Sequence, residues 1–237
     1  MEERKSNTAK RVLRMLVAMA AALATIYVAW KYANRQYYVV SVLLIIYFMV
    51  PFFLMFEQRR PQARELVVIA VLSAIAVVSR VLFIWAPNFK PLVAIVIITG
   101  VAFGPESGFL TGALAAFVSN FIFGQGAWTP WQMFAYGLAG FLAGFLYQAG
   151  ILSKNRIPLT VFGFLCTFLI VGPVLDTCAL FLMTNELNIS SAGTVYLSGL
   201  PVNLVHASAV ALTMFFFSRP MFEKLDRIRL KYGMLED

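Results

Sequence analysis

Two ionisable side chains lie deep in otherwise apolar runs, Arg80 and Asp176. A charge at a membrane-helix centre costs roughly 2.5–3.5 kcal/mol on insertion scales, so such residues pair, face a solute or line an ion path. An arginine can also snorkel to the interface on its long stem. Asn203 and His206 stand three apart in one apolar run, which places them on one helix face. The only histidine of a chain invites a metal or proton-relay reading. No thiolate or carboxylate stands at ligand spacing beside it, so no metal site is expected. A hydrogen-bonded core histidine, or one that binds a solute's polar edge, fits better. The loop Gly124-Gln-Gly-Ala-Trp128-Thr-Pro-Trp131-Gln132, followed by Tyr136, adds amides and aromatics, and Asn120 precedes it. A second such segment reads Trp85-Ala-Pro-Asn88-Phe89-Lys90. Interfacial Trp and Tyr are also expected as a plain membrane belt. Amides and glycines among the aromatics instead suggest a cup for a small solute, since pockets are mostly apolar with a few orienting polar groups.

The chain that must position these groups is 61% hydrophobic and 13% charged over 237 residues, with mean hydropathy +0.81. Soluble domains are nearer half apolar and a quarter charged, so this is a polytopic, all-α membrane protein. A net charge of +8 raises the question of nucleic acid. The cations instead cluster between apolar runs, as in cytoplasmic loops, and no nucleic-acid partner is expected. Cys166 and Cys178 share one apolar run and suggest neither a disulfide framework nor a zinc site.

A span needs about 20 apolar residues. Eight are expected, over 12–30, 36–56, 65–86, 91–104, 107–123, 131–152, 157–183 and 195–218. The first ends on Tyr27, Trp30 and Tyr32 and reads as a retained span rather than a signal peptide. The fourth and fifth are short, which leaves them tilted, broken or partly re-entrant. With both termini cytoplasmic, only Lys31, Arg35 and Lys90 of the loop cations fall outside, as the positive-inside rule requires. Arg80 and Asp176 then both lie toward the outer half, where they could pair.

The basic linker Glu57–Arg64 divides the chain. Residues 1–60 form an N-terminal tail and a two-span hairpin, 61–220 a six-span solute-binding core, and 221–237 a basic cytoplasmic tail. The core is rich in small residues at four-residue spacing, Gly108 with Gly112 and Gly140 with Gly144, which let membrane helices approach closely. Ala70 and Ala74 form a further pair, able to seat either a neighbouring helix of the bundle or a partner. Enzyme readings are excluded by the motifs. There is no Walker A sequence, no His-Glu-x-x-His and no carboxylate cluster. Glu106-Ser107-Gly108 lacks the Gly-x-Ser-Gly of an intramembrane serine protease, because position 105 is Pro.

Three features give the core a family likeness: the Ala70/Ala74 pair, the Pro91–Gly112 segment with its Gly104-Pro105 turn, and the Trp128–Gly144 stretch. Together they resemble the substrate-binding S components of energy-coupling factor (ECF) vitamin transporters. The resemblance implies a six-helix bundle, here preceded by an extra hairpin, in the plasma membrane. It implies a vitamin-like solute captured outside and delivered inward with a transmembrane scaffold and two ATPase subunits. ATP would be used by those partners, and no cofactor is bound by this chain. Ala70 and Ala74 would contact the scaffold. The tryptophan-rich loop is most similar to cobalamin-type S components, so a corrinoid is the expected solute, with another vitamin or a queuosine precursor as alternatives. Arg80, Asn88, Phe89, Lys90, Asn120, Trp128, Trp131, Gln132, Tyr136, Asp176, Asn203 and His206 are the expected solute-binding residues. The competing classes are a stand-alone secondary transporter, with Arg80 and Asp176 on its ion path, and a structural membrane protein.

Overall fold

The computed structural model describes Ala24 and residues 37–58, 62–184 and 187–231. The span expected over 12–30 lies, but for Ala24, outside the described residues. The others emerge as helices: α1 (Tyr37–Gln58), α2 (Ala63–Leu82), α3 (Leu92–Phe103), α4 (Pro105–Phe123), α5 (Trp128–Gln148), α6 (Arg156–Cys166), α7 (Gly172–Met183) and α8 (Ile189–Lys231). A π-turn, Thr167–Val171, joins α6 to α7 into one 28-residue rod. Among the described residues the secondary structure is entirely helical, and five helices are long and apolar enough to cross a membrane: α1, α2, α4, the α6–α7 rod and α8.

α3 is the short helix of the core, in line with the short run read over 91–104. Its 12 residues are all buried, with apolar side chains on every side, as befits a helix enclosed by others. It rises only about 18 Å against a hydrocarbon core of about 30 Å. Gly104, with φ 98°, supplies the left-handed turn that reverses the chain into α4 at Pro105, which occupies the first helical turn. With its C-terminal end tied to the start of α4, α3 begins well short of the other end of the bundle. Residues 83–91 connect α2 to α3, exposed at Ile84 and Trp85 and more buried from Asn88 to Pro91.

The seam of α3, α4 and α5 is made of glycine. A Cβ at Gly140 would sit 2.5 Å from the Gly108 carbonyl oxygen and 2.7 Å from Val96 Cγ1. One at Gly144 would sit 2.6 Å from both Gly100 O and Pro105 N, and one at Gly112 would sit 2.6 Å from Tyr136 O. These backbones touch, as the four-residue spacing predicts. α5 is long enough to span, but its three glycines, two tryptophans and terminal glutamines suit a helix held inside the bundle.

α1 lies against this core. Phe52 stacks on Phe109 at 4.2 Å and meets Phe141 edge-on at 4.9 Å. α8 extends 43 residues, about 65 Å, and continues through Pro201 and Pro220 without a break. The expected basic tail is thus a helical extension as far as Lys231, tied to the α5–α6 loop by the Lys154–Asp226 ion pair at 2.8 Å.

Candidate solute-binding site

The ends of α2 and α4 and the start of α5 meet around Arg80. The residue is 5% exposed. Nη1 donates to Ser119 Oγ at 2.6 Å and to Asn120 Oδ1 at 3.0 Å, and the guanidinium lies 4.3 Å over the Phe123 ring. Asn120 passes the network on, donating from Nδ2 to Thr129 Oγ1 at 3.1 Å and to Gln132 Oε1 at 2.9 Å. Thr129 is saturated. It also accepts from the Gly126 N–H at 3.2 Å and donates to Gln125 Oε1 at 2.9 Å. Five polar side chains from three helices, Arg80, Ser119, Asn120, Thr129 and Gln132, therefore form one network beside the Gly124–Gly126 loop. Trp128 and Pro130 occupy the first turn of α5 instead of the loop, and Trp128 Nε1 donates to the Gly124 carbonyl at 3.3 Å.

A second group lies between α7 and α8. Asn203 Nδ2 donates to Asp176 Oδ2 at 2.7 Å, and Thr177 Oγ1 and Tyr196 OH share a bond of 2.7 Å one turn away. Two glycines make room. A Cβ at Gly172 would sit 2.5 Å from Asn203 Cγ, and one at Gly199 would overlap the Asp176 carboxylate. The π-turn directly precedes Gly172, and such turns recur at functional sites. Arg80 and Asp176 do not pair: each hydrogen-bonds neutral neighbours on its own side.

His206, three residues after Asn203 on α8, meets Tyr136 edge-on at 6.1 Å, with the Lys90 backbone against its ring. The loop of residues 83–91 brings Lys90 there. Asn88 takes φ 62° to make the turn, and Phe89 packs on Phe83 at 4.8 Å. Trp131 points elsewhere, into an apolar cluster with Ile45 of α1 and Cys178 of α7, its ring 6.0 Å from Phe181.

Several buried polar atoms in this half of the bundle end without a partner: Arg80 Nε, Trp131 Nε1, Tyr136 OH and His206 Nε2. Tyr136 is 1% exposed and His206 4%. Buried polar groups are normally bonded, and each exception calls for a ligand, a water or an ion. A cavity of about 460 Å³ opens at the opposite, Gly104 end, lined by Glu65, Gly104, Glu106, Tyr147 and Arg229 among others. None of the expected solute-binding residues lines it.

Of those residues, Arg80, Asn120 and Gln132 form one network, Asp176 and Asn203 a second, and Tyr136 and His206 meet as a separate aromatic pair. Asn88 and Phe89 shape the 83–91 loop, Trp128 caps α5, and Trp131 is sequestered against α1. Ser119, Gln125, Thr129, Gly172 and Gly199 went unsignalled as site residues. Ser119 and Thr129 flank the amide loop at helix ends, and each glycine stands one helical turn from a polar partner, which is the pattern that would have found them. Ala70 and Ala74 are exposed on the outer face of α2 beside Leu66, Val67, Val71, Ile75 and Val78. They do not pack inside the described bundle.

An all-helical membrane bundle with a small-residue seam and a polar centre is the architecture of a solute-handling membrane protein. Residues 61–221 match the family described as "ECF-type riboflavin transporter, S component". The match covers well over half of the chain, which therefore belongs to this family of transporter subunits and is not an enzyme. Two UPF0397 proteins of Aliivibrio fischeri strains are 30% identical to it over 105 residues, covering 42% of this chain and 55% of theirs. A UPF0397 protein of Vibrio atlanticus is 30% identical over 100 residues, 40% of this chain and 53% of its own. The chain thus matches about half the length of these curated relatives. No solved structure matches. Nothing in these likenesses supports the corrinoid expected from the tryptophan-rich loop, and the family's own description names riboflavin.

Proposed function

We propose that this chain is the membrane-embedded binding subunit of an ATP-driven uptake system in the plasma membrane, with both termini cytoplasmic. It takes a flavin-class heterocycle from outside at the Arg80 end, and an ECF scaffold with two ATPases completes delivery. The observation that carries this reading is the set of buried, unpartnered polar atoms on Arg80, Tyr136 and His206, on the core that the family match spans. A fused heterocycle has carbonyl and imide edges for such donors and a flat apolar face for Tyr136. Lys90, Gln132, Asp176 and Asn203 would orient its polar substituents. Exposed Ala70 and Ala74 would let a scaffold helix approach the α2 backbone.

Affinity purification of the chain from its native membrane tests the assembly. A scaffold and two ATPases should co-purify, and riboflavin should quench the chain's tryptophan fluorescence on titration. A chain that purifies alone and still accumulates solute in vesicles would instead be a stand-alone carrier.

A further inference from the structure

Arg80 is a buried cation among neutral groups. Its described partners are a hydroxyl, an amide oxygen and a phenyl ring, and its Nε has none. Among the described residues no carboxylate pairs with it. Asp176 is held by Asn203. Desolvating a guanidinium without a counter-ion is costly, and buried charges are normally paired. A structural arginine would be served by one acid in place of Asn120, whose Oδ1 already lies 3.0 Å from Nη1. The chain places an amide there, which holds the guanidinium in position and leaves its charge uncancelled.

We propose that the solute itself carries the missing charge, as an oxyanion (a carboxylate or a phosphate) that Arg80 neutralises on binding. This rests on the reading of the Arg80 end as the solute site. Arg80 is then a specificity residue that selects the charged member of a solute pair over its neutral counterpart. Charge-assisted bonds to a guanidinium are roughly twice as strong as neutral ones and geometrically selective.

The test is equilibrium binding by the full-length chain in detergent, with matched probes that differ only in the acid: riboflavin and riboflavin 5′-phosphate, biotin and biotinamide, pantothenate and pantothenamide. In whichever pair binds, the acid member should bind at least about tenfold more tightly, the discrimination expected of one charge-assisted hydrogen bond. Arg80→Gln should reduce that preference to within about twofold. Asn120→Asp, which supplies the carboxylate internally and keeps Arg80, should do the same, so the inference does not depend on one variant folding. Flavins that bind with no preference for the phosphate would overturn the oxyanion and leave the flavin reading intact. An acid preference in another pair, with both flavins inert, would do the reverse. A chain that binds no probe contradicts both.

Discussion

Asn120 is the hub on which the Arg80 end depends, and replacing it by alanine has a calculable effect. The change removes an acceptor for Arg80 at 3.0 Å and donors to Thr129 at 3.1 Å and Gln132 at 2.9 Å. Between membrane helices a neutral side-chain bond is worth about 0.6 kcal/mol on average. The bond to a guanidinium is worth about 1.5–3 kcal/mol. Thr129 keeps Gln125 and Gly126, and Arg80 keeps Ser119, so the loss falls mainly on the charged bond. Asn120→Ala should therefore destabilise the bundle by about 3 kcal/mol, with Arg80 supplying more than half. Equilibrium unfolding in mixed detergent, as a double-mutant cycle with Arg80→Gln, measures this directly. The two substitutions should couple by at least about 1 kcal/mol, since they share one bond. Additive effects, or an Asn120→Ala variant as stable as the parent, would refute the idea that this network holds the three helix ends together.

Gly140→Ala should sharply lower the yield of folded protein, because its Cβ would press on the Gly108 backbone, which cannot rotate away. Gly163→Ala meets only the Val210 and Met214 side chains, at 3.2 and 3.3 Å, and should be far better tolerated. Paired expression and size-exclusion profiles check this contrast. Asn203→Ala leaves Asp176 without its hydrogen-bond donor and should weaken solute binding about tenfold or more, read by titration of the purified variant. Ala70→Leu and Ala74→Leu, on the exposed face of α2, should spare solute binding and impair uptake in whole cells. Normal transport by both alanine variants would remove α2 as the docking face.

Much of this was legible because membrane helices write their limits into composition. The expected spans over 36–56, 107–123 and 157–183 coincide with α1, α4 and the α6–α7 rod to within two residues. The glycine spacing predicted the contacts at Gly108, Gly112, Gly140 and Gly144. The shortness of α3 was legible too, since the run 91–104 falls well below a full span and the helix has only 12 residues. Its burial on every side depends on neighbours that no local pattern reveals. Hydrogen-bond partners were harder still. Arg80 and Asp176 share a depth, but which face each occupies is set by how α2 and α7 rotate against α4 and α8. Trp131 stands beside Gln132 in sequence, yet the 100° step between helix neighbours turns it toward α1 and α7 instead.

The central claim, that the polar centre at the Arg80 end exists to hold a solute, is tested most directly by native mass spectrometry of the gently purified chain. One small molecule per chain is predicted, a flavin-class compound released on activation and absent from an Arg80→Gln, Asn203→Ala double variant that still folds. A chain that carries nothing, and gains no mass when riboflavin or its phosphate is added, would contradict the account.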